Sequence, residues 1–323
     1  MRARASFSLA LAVSVGSLLA AGCGSGTPVK TAAARCDAPV GVSSNANGVL
    51  WAQGGSKPAV YAVAGSKVIA PSGTTSVPAG ATAVGFWACR PYSLLYTSGG
   101  QLRMDGGTEG PTTIGTNGVA APNGWLLTFN GATISYTNGE KLVARGLKPG
   151  WRISAVTVDP KDPHTVFATA ISPRVGNEEC LFGDGVVYRV TPTTTSAVLK
   201  YNPSRTNPLV SWSPDGTHMS FTDGPQSVLY IGDVYGRTKI AVARDVGSFL
   251  WSPDGSTIAY NVAAGSTPRV ALIDVAAGTS RPLADGTLGA WSPDGKAVAV
   301  ISGSSLLGVP AAGGHPQKLA SLS

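Results

Sequence analysis

Trp212-Ser213-Pro214-Asp215-Gly216, Trp251-Ser252-Pro253-Asp254-Gly255 and Trp291-Ser292-Pro293-Asp294-Gly295 are three copies of one pentapeptide, set 39 and 40 residues apart. Ser-Pro-Asp-Gly suits a type I turn: Ser at the first position, Pro with its φ preset at the second, and Gly at the fourth. The Trp then closes a strand. Nine residues after each Trp stands another large apolar residue, Phe221, Tyr260 or Val300, in a short alternating run such as Ser256-Thr257-Ile258-Ala259-Tyr260. Such a run reads as the second strand of a hairpin. A hairpin returning every forty residues has the period of a four-stranded blade in a ring of blades.

Carrying the same spacing upstream finds degenerate copies: Val158-Asp159-Pro160 with Phe167, Ala120-Ala121-Pro122-Asn123-Gly124 with Phe129, Trp87 with Tyr96, and Val42 with Trp51. Third strands are expected at Ala59–Val63, Gly185–Val190, Val228–Ile231 and Arg269–Ile273, and Gln317-Lys318-Leu319 as part of the outer edge of the last blade. The expected fold is all-β, a single β-propeller of four-stranded antiparallel blades over residues 38–323, with seven blades, or six. Composition agrees. Glycine supplies 42 of 323 residues and charged residues only 13%, against averages of about 7% and about 25%. Few segments carry helix formers at 3.6-residue spacing.

Residues 1–22 are of another kind. Arg2 and Arg4 precede an uncharged apolar stretch from Phe7 to Leu19, followed by Leu19-Ala20-Ala21-Gly22-Cys23, the layout of a secretory signal. Small residues directly before a cysteine resemble the bacterial lipoprotein processing box, which implies cleavage before Cys23 and transfer of a diacylglycerol to its sulfur. Residues 23–37 are small and polar and read as a tether. The chain is then expected outside the cytoplasm, tied to the cell membrane through Cys23. Two or more acyl chains hold firmly, since each buried CH₂ contributes about 0.8 kcal/mol. Loss of Arg2 and Arg4 from the 24 basic residues leaves 22 against 17 acidic ones, a net charge of +5. Without a run of five basic residues, this thin excess reads as an ordinary solvated surface, and nucleic acid is not an expected partner.

Cys36, Cys89 and Cys180 remain. An exported chain permits one disulfide among them and leaves one thiol over; the pairing stays open. The longest insertion lies between the second and third strands of the fourth unit, residues 172–184, where Arg174, Glu178, Glu179 and Asp184 mix with Leu181 and Phe182. Long loops on rigid scaffolds carry binding. Contact with a partner or a bound calcium is its functional reading, a disulfide-pinned ornament its structural one; no other cofactor or metal is expected. Asp215, Asp254 and Asp294 look like a carboxylate ring, yet each sits where Asp bonds its own turn, so Pro214, Asp215, Gly216, Pro253, Asp254, Gly255, Pro293, Asp294 and Gly295 read as structural turn residues. His164, His218 and His315 fall in separate blades and read as isolated surface residues. No Gly-x-Ser-x-Gly elbow is present, so no nucleophile is assigned.

The Trp-Ser-Pro-Asp-Gly units and their apolar strands resemble the blades of the TolB propeller family and of the propellers of prolyl oligopeptidase-like peptidases, most closely over 208–323. Val156–Pro163 followed by Thr165–Thr169 is similar to blades of the sialidase or sortilin kind. The residues shared with the TolB family serve turns and packing, so the resemblance implies a fold rather than a site. There is no room in this chain for the α/β domain that precedes the propeller of TolB, and the Tol-Pal role is not expected. Two functional expectations follow. One is a non-catalytic binding or scaffold module for an envelope protein or cell-wall component. The alternative is a small extracytoplasmic enzyme of the lyase or hydrolase type, with its site at the channel mouth.

Overall fold

The computed structural model describes residues 49–322, apart from 55–56, 65–66, 71–72, 88–92, 100, 105–111, 116–117, 121–125, 137–138, 160, 173–184, 202–209, 225, 234–238, 264 and 266. The described residues hold strands and turns and no α-helix. Their strands form seven antiparallel sheets of four, and within every sheet the spatial order follows the chain order. The sixth sheet, for example, runs through Val246–Trp251, Thr257–Val262, Arg269–Asp274 and Thr279–Asp285, its first strand stopping at the Trp that leads into the turn. The all-β expectation holds, and the hairpins decoded from the pentapeptides pair as read: Trp212 lies opposite Met219, Trp251 opposite Ile258 and Trp291 opposite Val298.

The first unit departs from its reading. The spacing puts Trp51 on a second strand after an inner strand ending at Val42, but Trp51 lies on the first described strand, Val49–Gly54, opposite Val60. Ala59–Val63 therefore belongs to the second strand, Lys57–Ala64. This hairpin closes tightly, with Gly54 paired to Lys57, and lacks the Pro-Asp turn that calibrates the spacing. Val42, together with Cys23, Cys36, Cys89 and Cys180, lies outside the described residues.

Apolar packing between consecutive sheets builds the core. Val166 to Ile171, on the second strand of the fourth sheet (Asp162–Ile171), are buried without interruption, as expected of a strand covered on both faces rather than one. Large and small residues divide those faces. Ile258 and Tyr260 pack toward the fifth sheet, with Leu229 and Ile231, while Ala259 between them packs toward the seventh, with Trp291. One sheet on, Val298 and Val300 join that same cluster, and Ala299 turns instead to Trp51 of the first sheet. Each of these indoles thus lies over the small residue that its neighbour leaves for it. Trp251 reaches Ser220 in the same manner, its Nε1–H donating to Ser220 Oγ at 2.8 Å, and Trp291 Nε1–H donates to the Leu250 carbonyl at 3.1 Å.

The first and last sheets meet, which closes the circle. Val49, Trp51 and Ala62 pack against Ala290, Ala299 and Leu306. Glycine makes this seam fit: a Cβ on Gly289 would stand 3.1 Å from Val49 Cβ, and one on Gly308 3.1 Å from Trp51 Cη2. Among the described residues no strand crosses from one sheet into another. Between the sixth and seventh sheets Asn261 acts as a stitch. Its Oδ1 accepts from Ser248 Oγ and from the Leu288 N–H, and its Nδ2 donates to the carbonyls of Arg269 and Gly286.

Candidate functional site

A sheet whose strands run up and down in chain order places its first-to-second and third-to-fourth turns on one rim, and its second-to-third connection on the other. The Ser-Pro-Asp-Gly turns therefore share a rim. In each of them the Gly N–H donates to the Ser carbonyl, at 2.8, 2.9 and 2.9 Å for Gly216, Gly255 and Gly295, as a four-residue turn requires. The Ser hydroxyl donates to the Asp carboxylate at 2.5 Å (Ser213 to Asp215), 2.6 Å (Ser252 to Asp254) and 2.7 Å (Ser292 to Asp294). It also accepts the backbone N–H of the residue that opens the second strand, His218, Thr257 or Ala297. Each carboxylate accepts a further backbone N–H two residues on, from Thr217, Ser256 or Lys296.

Donors aimed at a carboxylate favour its charged form. The hydroxyl of Ser213 foremost, then that of Thr217, lowers the Asp215 pKa to about 2, and the hydroxyls of Ser252 and Ser292 lead the lowering of Asp254 and Asp294. The turns also stack. A Cβ on Gly255 would lie 3.6 Å from Pro214 Cδ, and one on Gly295 3.6 Å from Pro253 Cδ. Both glycines have positive φ, +72° and +70°, which side-chain-bearing residues rarely adopt. Successive turns form a rigid row along this rim. Because the folded pKa values are depressed, the stability these carboxylates supply is present above the unfolded value of about 4 and lost as the pH falls through the folded values, about 2 for Asp215. The urea midpoint of the full chain is expected to drop between about pH 4 and about pH 2, and to drop less in the triple variant Asp215→Asn, Asp254→Asn, Asp294→Asn.

The fourth unit carries a different turn, with a group of ionisable side chains on this rim. Asp162 Oδ1 accepts the His164 N–H at 3.0 Å and its Oδ2 accepts the Thr165 hydroxyl at 2.6 Å. With Thr165 as the main cause, the Asp162 pKa is lowered. His164 Nδ1 lies 2.9 and 3.1 Å from the two oxygens of Glu140, which belongs to the turn between Thr133–Tyr136 and Lys141–Val143 in the third sheet. The pair thus ties two sheets together. Burial, followed by the charges of Glu140 and Asp162, pushes the phenol of Tyr136 above its usual range. In the fifth unit, Thr217 Oγ1 donates to Asp215 Oδ2 at 2.6 Å and meets His218 Nδ1 at 2.8 Å.

The sequence reading makes His164 and His218 isolated, and neither is. The partner of His164 comes from another sheet, 24 residues away, which no local spacing reveals. That of His218 is within reach of the sequence, since Thr217, which also bonds Asp215, is its immediate neighbour. His315 is exposed. Among the described residues no three His, Cys, Asp or Glu side chains come together as a metal ion requires. Arg174, Glu178, Glu179, Leu181, Phe182 and Asp184 lie outside the described residues. The flanks of their loop are described: Ile171 pairs with Gly185, so the insertion springs from a closed hairpin base on the rim opposite the Ser-Pro-Asp-Gly row.

No protein-family model matches the sequence, and no curated protein is similar to it. Solved structures are similar in fold. An oligogalacturonate lyase in complex with manganese aligns over 71% of this chain and 74% of its own, at 14% identity and a TM-score of 0.55. An oligogalacturonate lyase from Vibrio parahaemolyticus aligns over 71% and 74%, at 12% identity and a TM-score of 0.52. TolB from Acinetobacter baumannii aligns over 70% and 61%, at 20% identity and a TM-score of 0.42. The chain is a β-propeller.

Proposed function

We propose that this chain is a lipid-anchored extracytoplasmic propeller that binds an envelope protein or cell-wall component through one rim, without catalysing a reaction. The observation that carries this reading is the bonding of the repeated rim carboxylates. Asp215, Asp254 and Asp294 are each engaged by a serine hydroxyl and a backbone N–H of their own turn, so the residues that look most like chemistry hold a platform rigid instead. The Leu19-Ala20-Ala21-Gly22-Cys23 box supports the address. A rigid ring on a membrane tether presents whatever its long loops carry, and the 172–184 insertion is the longest of the fourth to seventh units.

Cells expressing the full chain and fed an alkyne-bearing fatty acid are expected to label it, and Cys23→Ala is expected to abolish the label and release the protein from the membrane fraction. In intact cells, photo-crosslinking from a position in the 172–184 loop is expected to trap one envelope component that the loop-deleted chain does not trap. Identical crosslinks from both chains would remove the loop from the account. The enzyme reading draws on the Ser-Pro-Asp-Gly rim, opposite the base of that loop, where His164 meets Glu140 and His218 meets Thr217 and Asp215. Turnover of an acidic oligosaccharide, lost in His218→Ala but kept in the loop deletion, would replace the binding reading.

A further inference from the structure

The net charge is thin, but the two rims share it unevenly. In the first-to-second turns of the fourth to seventh sheets, on the Ser-Pro-Asp-Gly rim, Asp159, Asp162, Asp215, Asp254 and Asp294 stand with Lys161 and Lys296 as the cations among the described residues. The opposite rim carries the second-to-third connections and the starts of the first strands. Lys148 and Arg152 lead into the fourth sheet, and Lys200 stands one residue before the end of that sheet's last strand, Thr195–Tyr201. Arg244 follows the last strand of the fifth sheet, Lys239–Ala243, and Lys67 opens the third strand of the first, Lys67–Ala70. All but the half-buried Arg152 are exposed. Among the described residues none of the five is in an ion pair. Arg244 donates to Gln226 Oε1 at 2.9 Å, and the Lys148 ammonium lies 5.2 Å from the centre of the Trp151 ring. Asp223, Asp245 and Asp285 are the acids of this rim among the described residues, and Asp285 is taken by Arg269 at 3.8 Å.

We propose that this basic rim lies against an anionic lipid surface, that of the membrane to which Cys23 is tied; the inference rests on the lipid-anchored reading. The chain enters the ring on the same rim, because Val49 opens the first strand of the first sheet, 26 residues (49 − 23) after Cys23. Even fully extended, that stretch reaches only about 90 Å. The ring therefore stays near the bilayer, with its basic side toward the anchor. Spread over the first, fourth and fifth sheets rather than gathered in one cleft, the cations suit a flat surface and not a small ligand. Lys and Arg close to an anionic membrane are drawn to it, and Trp151, next to Arg152, is of the residue type that settles at headgroup level. The carboxylates of the other rim are repelled by the same surface, which orients the ring. The base of the 172–184 loop is on the basic rim, so an envelope partner of that loop is met at the bilayer surface.

The test is co-sedimentation of the mature chain, residues 23–323 with Cys23→Ala, with vesicles of about 30% phosphatidylglycerol in phosphatidylcholine. Without acyl chains, the measurement is separate from the anchor itself. Binding is expected at about 50 mM salt and is expected to vanish at about 0.5 M, where screening is strong; vesicles of phosphatidylcholine alone are expected to take up no protein. Lys148→Glu, Lys200→Glu and Arg244→Glu combined are expected to weaken binding at least about tenfold with an unchanged circular dichroism spectrum. Lys141→Glu, Lys161→Glu and Lys296→Glu combined make the same change of net charge on the Ser-Pro-Asp-Gly side and are expected to leave binding within about twofold. Deleting 172–184 removes Glu178, Glu179 and Asp184 with only Arg174, so vesicle binding is expected to persist where the loop's crosslink is lost. A missing fatty-acid label with vesicle binding intact would count against the anchor and leave the basic rim standing. No binding to the anionic vesicles, or equal losses in the two triple variants, would overturn the proposal. So would polyphosphate bound more tightly than the vesicles, because the occupant would then be a soluble polyanion.

Discussion

Gly286→Ala is expected to destabilise the protein by about 3 kcal/mol or more, combining backbone strain of about 1–3 kcal/mol with a comparable overpacking cost. Gly286 has a φ of +131°, and a Cβ there would stand 2.4 Å from the Ile301 carbonyl oxygen and 2.7 Å from Val300 Cγ1. Neither neighbour can yield, since Ile301 is backbone-paired with Thr287 and Val300 is fully buried. The Gly286 carbonyl is also held by Asn261 Nδ2. At roughly 2–4 °C per kcal/mol for domains of 150–250 residues, a melting temperature lower by about 6–12 °C is the measurement. Gly303→Ala is the comparison. Its φ is +56° but nothing lies within 4 Å of the new methyl, so only the smaller conformational cost applies. Equal losses in the two variants would show that φ alone, and not the contact with Ile301, decides the position.

Trp291→Ala is expected to cost about 3–5 kcal/mol, the range for emptying a large aromatic site in a core. Trp291 is completely buried among Leu250, Ala259, Leu272 and Val298, and its N–H satisfies the Leu250 carbonyl. The alanine variant removes both the packing between the sixth and seventh sheets and that hydrogen bond. Trp291→Phe separates them: it retains most of the apolar contact and leaves the carbonyl without its indole donor, for an expected loss of about 1–3 kcal/mol. Urea unfolding of the two variants measures the difference. A stability unchanged in Trp291→Ala would mean that the repeated indole serves something other than packing between sheets.

The parts of this fold that are legible in the sequence are those set by local chemistry. Ser292, Pro293, Asp294 and Gly295 each have a reason for their place that involves only the turn they form, so three copies suffice to locate both strands of three hairpins and to interpret the carboxylates. Where the turn changes, legibility fails. The tight hairpin at Gly54 and Lys57 has no Pro-Asp signature, and the reading of the first unit slips by one strand. The division of second strands into a large and a small face, as in Ile258, Ala259 and Tyr260, is visible as a pattern, but its cause is the indole of the next sheet, Trp291, far along the chain. The His164–Glu140 pair is hidden for the same reason: each member comes from a different sheet, and nothing near either one announces the other.

A sheet made from one uninterrupted stretch can assemble as soon as its last strand leaves the ribosome, with no need to wait for distant sequence. The joint between first and last sheets is the exception. Val49, Trp51 and Ala62 have their cover in Ala290, Ala299 and Leu306, which are synthesised after five intervening sheets. At about 5–20 residues per second, that greasy face stays wet for about ten seconds or longer in the nascent chain. Whatever holds the polypeptide during its synthesis has this patch to shield.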